Sequence, residues 1–134
     1  MKRSSPLLGL LIFFSLASFL LAEEDPCAGV GGARDTIECA EPKLKEAEAG
    51  LDRAFSESLK RIYASPLTMS NQQRASLKEN LAHAHDSWLN WRNDECEFEG
   101  ESGFGAGAWP NAHTLLCKIK LTQQRTAYYD SVFK

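Results

Sequence analysis

Apolar residues recur at intervals of three and four along three stretches of the sequence, and the chain between them is polar or rich in glycine and proline. Leu44, Ala47, Leu51, Phe55, Leu59 and Ile62 form the first series, while Lys43, Lys45, Glu46, Glu48, Asp52 and Lys60 fall mostly on the other side of the same helical wheel. That pattern predicts an amphipathic core helix. Glu41-Pro42 is its expected start, because the missing N–H of proline costs nothing in a first turn. Ser65-Pro66 is its expected end or bend, since the residue before proline is pushed out of helical geometry. A second series, Leu77, Leu81, Ala84, Trp88, Trp91 and Glu95, follows Ser70-Asn71-Gln72-Gln73, a capping-box pattern in which Ser70 and Gln73 satisfy each other's exposed N–H groups. It is expected to run to about Cys96, a rod of roughly 40 Å at ~1.5 Å per residue. The third series is Leu115, Ile119, Thr122, Thr126, Tyr129 and Phe133, restarting near Asn111. Between the last two, glycines at 100, 103, 105 and 107 oppose a helix through their backbone entropy, so residues 100–110 are expected to be an exposed loop.

Residues 23–35, rich in glycine, alanine and acid, read as a mobile lead-in tied down at Cys27, with a short helix around residues 33–39. No strand alternation and no internal repeat is visible. The expected fold class is all-α: a small disulfide-stapled bundle of three long helices plus a short N-terminal helix.

The N-terminus changes the picture of where this bundle resides. Met1-Lys2-Arg3 is a short positive start, Leu7 to Ala22 is an apolar run broken only by Gly9, Ser15 and Ser18, and Glu23-Glu24-Asp25 follows abruptly. This is the three-part form of a secretory signal peptide, expected to cover residues 1–22 with cleavage after Ala22. The run falls short of the ~20 residues that span a bilayer, which disfavours an uncleaved anchor. The remainder, residues 23–134, is expected to be one helical domain, periplasmic or secreted, with no stable membrane anchor after cleavage. Loss of Lys2 and Arg3 shifts the net charge from −3 to −5. No basic stripe is present to displace counterions from phosphate, so nucleic acid is not an expected partner. An acidic protein suits a cationic one.

Four cysteines in a small exported chain read as a disulfide framework with three possible connectivities. The spacing favours Cys27 with Cys39 and Cys96 with Cys117, each closing a local loop worth roughly 3 kcal/mol. No C-x-x-C occurs, so a zinc site is not expected. Oxidised cysteines leave no thiol nucleophile, and no G-x-S-x-G elbow is present. His83 and His85 lie two apart on a helix and point in different directions, so they do not chelate one metal together. His85 and Asp86 beside Trp88 would need a third group from elsewhere to form a site. The acidic stretch from Asp94 to Glu101 lacks the ordered D-x-D-x-D-G calcium loop. It reads as a solvated edge or as an attractor of a basic partner protein. No catalytic residue, cofactor or metal is expected.

The segment from Glu101 to His113 combines glycines with Phe104 and Trp109 and would be anchored by a Cys96–Cys117 bridge. Loops held on rigid scaffolds often bind partners, whereas aromatic residues such as these also fold back to cap a bundle. Glu97, Glu99, Glu101, Phe104, Trp109, Asn111 and His113 are therefore the candidate binding residues.

Trp88-Leu89-Asn90-Trp91-Arg92-Asn93-Asp94-Glu95-Cys96 resembles the W-x-x-[aromatic]-R-D-x-E-C signature of the LprI-type family of small exported bacterial proteins. Cys27 and Thr36-Ile37-Glu38-Cys39 match its early part, Leu51-Asp52-Arg53-Ala54-Phe55 its middle, and Cys117 with Leu121-Thr122-Gln123-Gln124-Arg125 its end. The chain departs from the pattern at Asn93, where aspartate is usual, and at His85, where glutamine is common. Arg92, Glu95 and Arg125 look like an interhelical polar network with Thr122 beside the disulfide, and Trp88 and Trp91 look like core. The resemblance implies inhibition of lysozyme, so the expected partner is a lysozyme-like peptidoglycan hydrolase. A non-inhibitory structural or adaptor protein of the cell envelope is the alternative.

Overall fold

The computed structural model of the protein describes residues 25–65, 68–103 and 105–132, so residues 1–22, the expected signal peptide, lie outside the described residues. Three helices make up the fold: α1 (Ala33–Ala64), α2 (Asn71–Gly103) and α3 (Trp109–Val132). No strand occurs among the described residues. The last helix is the central one. It packs along α1 on one side and along the C-terminal part of α2 on the other, whereas α1 and α2 meet mainly through long side chains, Phe55 against His85 and Glu48 with Arg92. Ala40 meets Ile119 at one end of the α1–α3 contact, and Leu51 and Ala54 meet Tyr129 at the other, so α1 and α3 run parallel, while α2 runs antiparallel to both.

The short N-terminal helix expected around residues 33–39 is not a separate element. It is the first part of α1, which begins eight residues before Glu41 and passes through Pro42. A proline inside a helix costs about 3 kcal/mol. Two contacts offset that here. Cys39 is bridged to Cys27, and Ala40, fully buried, packs with Cys27 and Ile119. Glu38, whose carbonyl loses its donor at Pro42, is on the exposed side, where water can satisfy it. The helix starts at Gly32, whose N–H donates to Asp35 Oδ2 at 3.2 Å, and the Asp35 carboxylate also complements the positive end of the helix dipole.

The start of α2 follows the local pattern. Gln73 N–H donates to Ser70 Oγ at 3.2 Å, and Ser70 N–H donates to Gln73 Oε1 at 2.8 Å. The Arg74 guanidinium then reaches back to close α1, donating to the carbonyls of Ile62 (2.8 Å) and Tyr63 (3.1 Å). These are carbonyls that a helix C-terminus leaves without intrahelical donors.

The far end of α2 differs from expectation. The helix continues past Cys96 through Gly100 to Gly103, and α3 opens at Trp109 with Pro110 in its first turn. The connection is thus far shorter than residues 100–110, and Gly105 and Gly107, at φ 76° and 84°, supply the reversal. Gly100 is buried because α3 approaches it closely. A β-carbon there would sit 2.6 Å from the Pro110 carbonyl oxygen and collide with Thr114 Oγ1. Tertiary contact with α3 and the Cys96–Cys117 bridge, one turn earlier, thus outweigh the poor helix propensity of glycine.

Candidate protein-binding site

The two disulfides frame one end of the bundle. Cys27–Cys39 (Cα–Cα 6.1 Å) fastens the lead-in to α1, and Cys96–Cys117 (5.5 Å) fastens α2 to α3. The lead-in itself is shaped by a turn in which Asp25 accepts from the N–H groups of Cys27 and Ala28. Where the lead-in, the end of α2 and the start of α3 converge, an open groove of about 220 Å³ is lined by Asp25, Pro26, Glu99, His113, Leu116 and Lys120. Glu99 and His113, both candidates from sequence, are therefore brought together. Asp25 and Lys120 join them without having been nominated. Only the proximity of Asp25 to Cys27 hinted that it would be held in place.

None of the other described candidates lines this groove. Glu97 and Glu101 are exposed, and Glu97 lies 3.5 Å from Lys118 Nζ on α3. An ion pair whose carboxylate is mostly in water contributes little to stability, so Glu97 remains available to a partner. Trp109, 41 % exposed, leans on His113 with ring centroids 5.7 Å apart, and Asn111 is exposed in the same first turns of α3. Phe104 lies outside the described residues.

Elsewhere in the bundle a polar network ties all three helices. Arg92 is 4 % exposed; it donates to Thr122 Oγ1 on α3 at 2.7 Å and to Glu48 Oε1 on α1 at 3.0 Å. Asn93 Oδ1 accepts from Arg92 Nη2 at 3.0 Å, so the amide does locally what an aspartate would do, and Glu48 brings the balancing charge. Glu95 is not part of this network and Trp91 is not core: both are exposed, Trp91 by 48 %. Each precedes a buried residue, Cys96 and Arg92, by one position and is turned about 100° away on the helix. Trp88 does sit inside, half-buried, with the Arg92 and Arg125 guanidiniums 5.7 and 5.5 Å from its ring. Arg125 also donates to the Tyr129 hydroxyl at 3.3 Å.

His85, unlike exposed His83, is buried. It stacks on Phe55 with centroids 4.1 Å apart, and its Nδ1 is 3.0 Å from the Tyr129 hydroxyl. With Arg125 donating to that hydroxyl, the arrangement suits a neutral imidazole accepting the tyrosine proton. Burial holds the His85 pKa below its ordinary value. Asp86 and Asp52 oppose that shift, and Arg125 and Arg92 reinforce it. The unfolded chain therefore binds the proton more tightly, and stability is complete above pH ~6.5 and declines as the pH falls toward the lowered folded-state pKa. Thermal unfolding should show a larger drop in Tm between pH 7.5 and pH 5 for the wild type than for His85→Gln. Equal slopes would contradict this role.

Residues 27–128 match the protein-family profile described as lysozyme inhibitor LprI. The chain belongs to that family. The matched span includes both disulfides, the Arg92 network and every residue around the groove except Asp25 and Pro26. This LprI family member is also similar to an uncharacterized protein of Rhizobium meliloti (strain 1021), 24 % identical over 129 residues, covering 95 % of this chain and 92 % of the relative. No solved structure matches the chain significantly. Among the described residues no helix is long and apolar enough to cross a membrane, and two disulfides fit an oxidising compartment.

Proposed function

We propose that the protein is an exported inhibitor of a lysozyme-like peptidoglycan hydrolase, acting in the periplasm or after secretion. The family match over residues 27–128 carries this reading. The proposed contact surface is the end of the bundle bearing Glu97, Glu99, Glu101, Trp109, Asn111 and His113. A hydrolase of this class is typically basic overall, with carboxylates in its cleft. The exposed glutamates suit attraction to the basic surface, and Lys120 and His113 in the groove suit contact with the cleft carboxylates. Inhibition of this kind is stoichiometric occlusion. It makes and breaks no covalent bond.

In a cell-wall lysis assay, the mature protein should slow at least one lysozyme in proportion to its concentration. The triple variant Glu97→Lys, Glu99→Lys, Glu101→Lys should require at least tenfold more protein for the same effect, and added salt should weaken the wild type most. Undiminished lysis by several lysozymes at large molar excess, with no complex on gel filtration, would remove this function and favour an adaptor role.

A further inference from the structure

The solvent side of α2 carries two large aromatic residues that the fold does not use. Trp91 is 48 % and Phe98 68 % exposed. Seven residues apart, they lie on one line along the helix, two turns or about 10 Å from each other. The same line includes Ala84 and Ser102 and is flanked by Asp94 and Glu95, all exposed. It lies roughly opposite the buried face of α2, made by His85, Arg92, Cys96 and Gly100. Other exposed aromatic residues are engaged within the chain: Tyr63 with Lys78, Tyr128 with Arg125, and Trp109 with His113. Among the described residues, neither Trp91 nor Phe98 has a ring or cation partner.

Charge selects what could cover this face. From residue 79 to 103 the one lysine or arginine is Arg92, and it is buried against Glu48 and Thr122. A second copy docked symmetrically would set Asp94 and Glu95 against the same acids, and an anionic lipid surface would be repelled. A surface bearing lysine or arginine is complementary in every respect. Its cations can lie over the Trp91 ring and pair with the two carboxylates, while its apolar stems cover Phe98.

We propose that the outer face of α2, centred on Trp91 and Phe98 and flanked by Asp94 and Glu95, is the docking surface for a basic protein. The identity of that protein rests on the inhibitor reading above. The stripe runs directly into the acidic end of α2, so the two form one surface with divided tasks. Glutamates 97, 99 and 101 steer the encounter, and the aromatic pair anchors the complex.

The test is binding of the wild type and of Trp91→Ser/Phe98→Ser to a basic C-type lysozyme, followed by surface plasmon resonance and by lysis. Both residues are exposed, so far-ultraviolet circular dichroism and Tm should be unchanged in the variant. The variant should dissociate at least tenfold faster at nearly the same association rate, and it should inhibit correspondingly less. If the wild type inhibits and the variant dissociates no faster, the docking surface is wrong and the inhibitor reading stands. If the wild type binds without slowing lysis and the variant loses that binding, the docking surface stands and the inhibitor reading falls. Absence of any binding by the wild type overturns both. A concentration-dependent dimer of the wild type that the double substitution abolishes would show the face to be self-associating and overturn the basic partner.

Discussion

Cys96→Ser/Cys117→Ser is expected to lose about 3 kcal/mol of unfolding free energy in urea denaturation, with the midpoint shifted and the slope increased. The bridge closes 21 residues of chain, so the unfolded state regains that loop freedom when it is removed. The location adds to the effect. Cys96 is completely buried, and the bridge holds α2 against α3 one turn from Gly100, where the start of α3 approaches the α2 backbone closely. Without it, the glycine-containing last turns of α2 lose their support and should fray. Amide exchange in residues 97–103 should quicken before the rest of the chain responds. Because those turns carry Glu97, Glu99 and Glu101, the proposed inhibition should weaken even at temperatures where the bundle stays folded. An unchanged urea midpoint would mean that packing alone fixes the α2–α3 contact.

Arg92→Ala should have an effect of similar size, about 3 kcal/mol, for a different reason. Truncation empties a buried volume and removes the cross-links to Thr122 and Glu48. The two acceptors are not left equally stranded. Thr122 Oγ1 still donates to the Lys118 carbonyl at 2.6 Å, and the Glu48 side chain, 45 % exposed, can hydrate. Arg92→Met keeps the volume and should therefore cost much less, about 1 kcal/mol. Arg92→Lys retains the charge but not the planar fork that reaches two helices at once, and should fall between them. Equal losses for alanine and methionine would show that the hydrogen bonds, rather than the filled space, hold the helices.

The features legible in the sequence were those decided within a few residues. The three helical series, the Ser70–Gln73 cap and the local cysteine pairing all belong to this class. Misread features depend on what lies across the bundle. Pro42 read as a helix start and Gly100 as the start of a loop because their compensating partners, Cys27 with Ile119 and Pro110 with Thr114, come from other segments. The stripe read through Trp88, Trp91 and Glu95 is rotated by about a quarter turn from the buried one through His85, Arg92 and Cys96, so only its Trp88 edge faces the core. Glu48, 44 residues from Arg92, gave no local sign of its pairing. At the proposed binding site the glutamates and His113 were visible as candidates near a cysteine. The groove was not, since it exists only where the lead-in is drawn across α3.

The central place of α3 has a consequence for how the molecule is made. Synthesis proceeds from the N-terminus, so α1 and α2 are complete before the helix against which each packs most extensively exists. The first cysteine pair can close early, within its own 12 residues, while the second must wait for Cys117. Both core clusters include a residue of α3, Ile119 in one and Tyr129 in the other, so the core is completed only when the final stretch of the polypeptide is present.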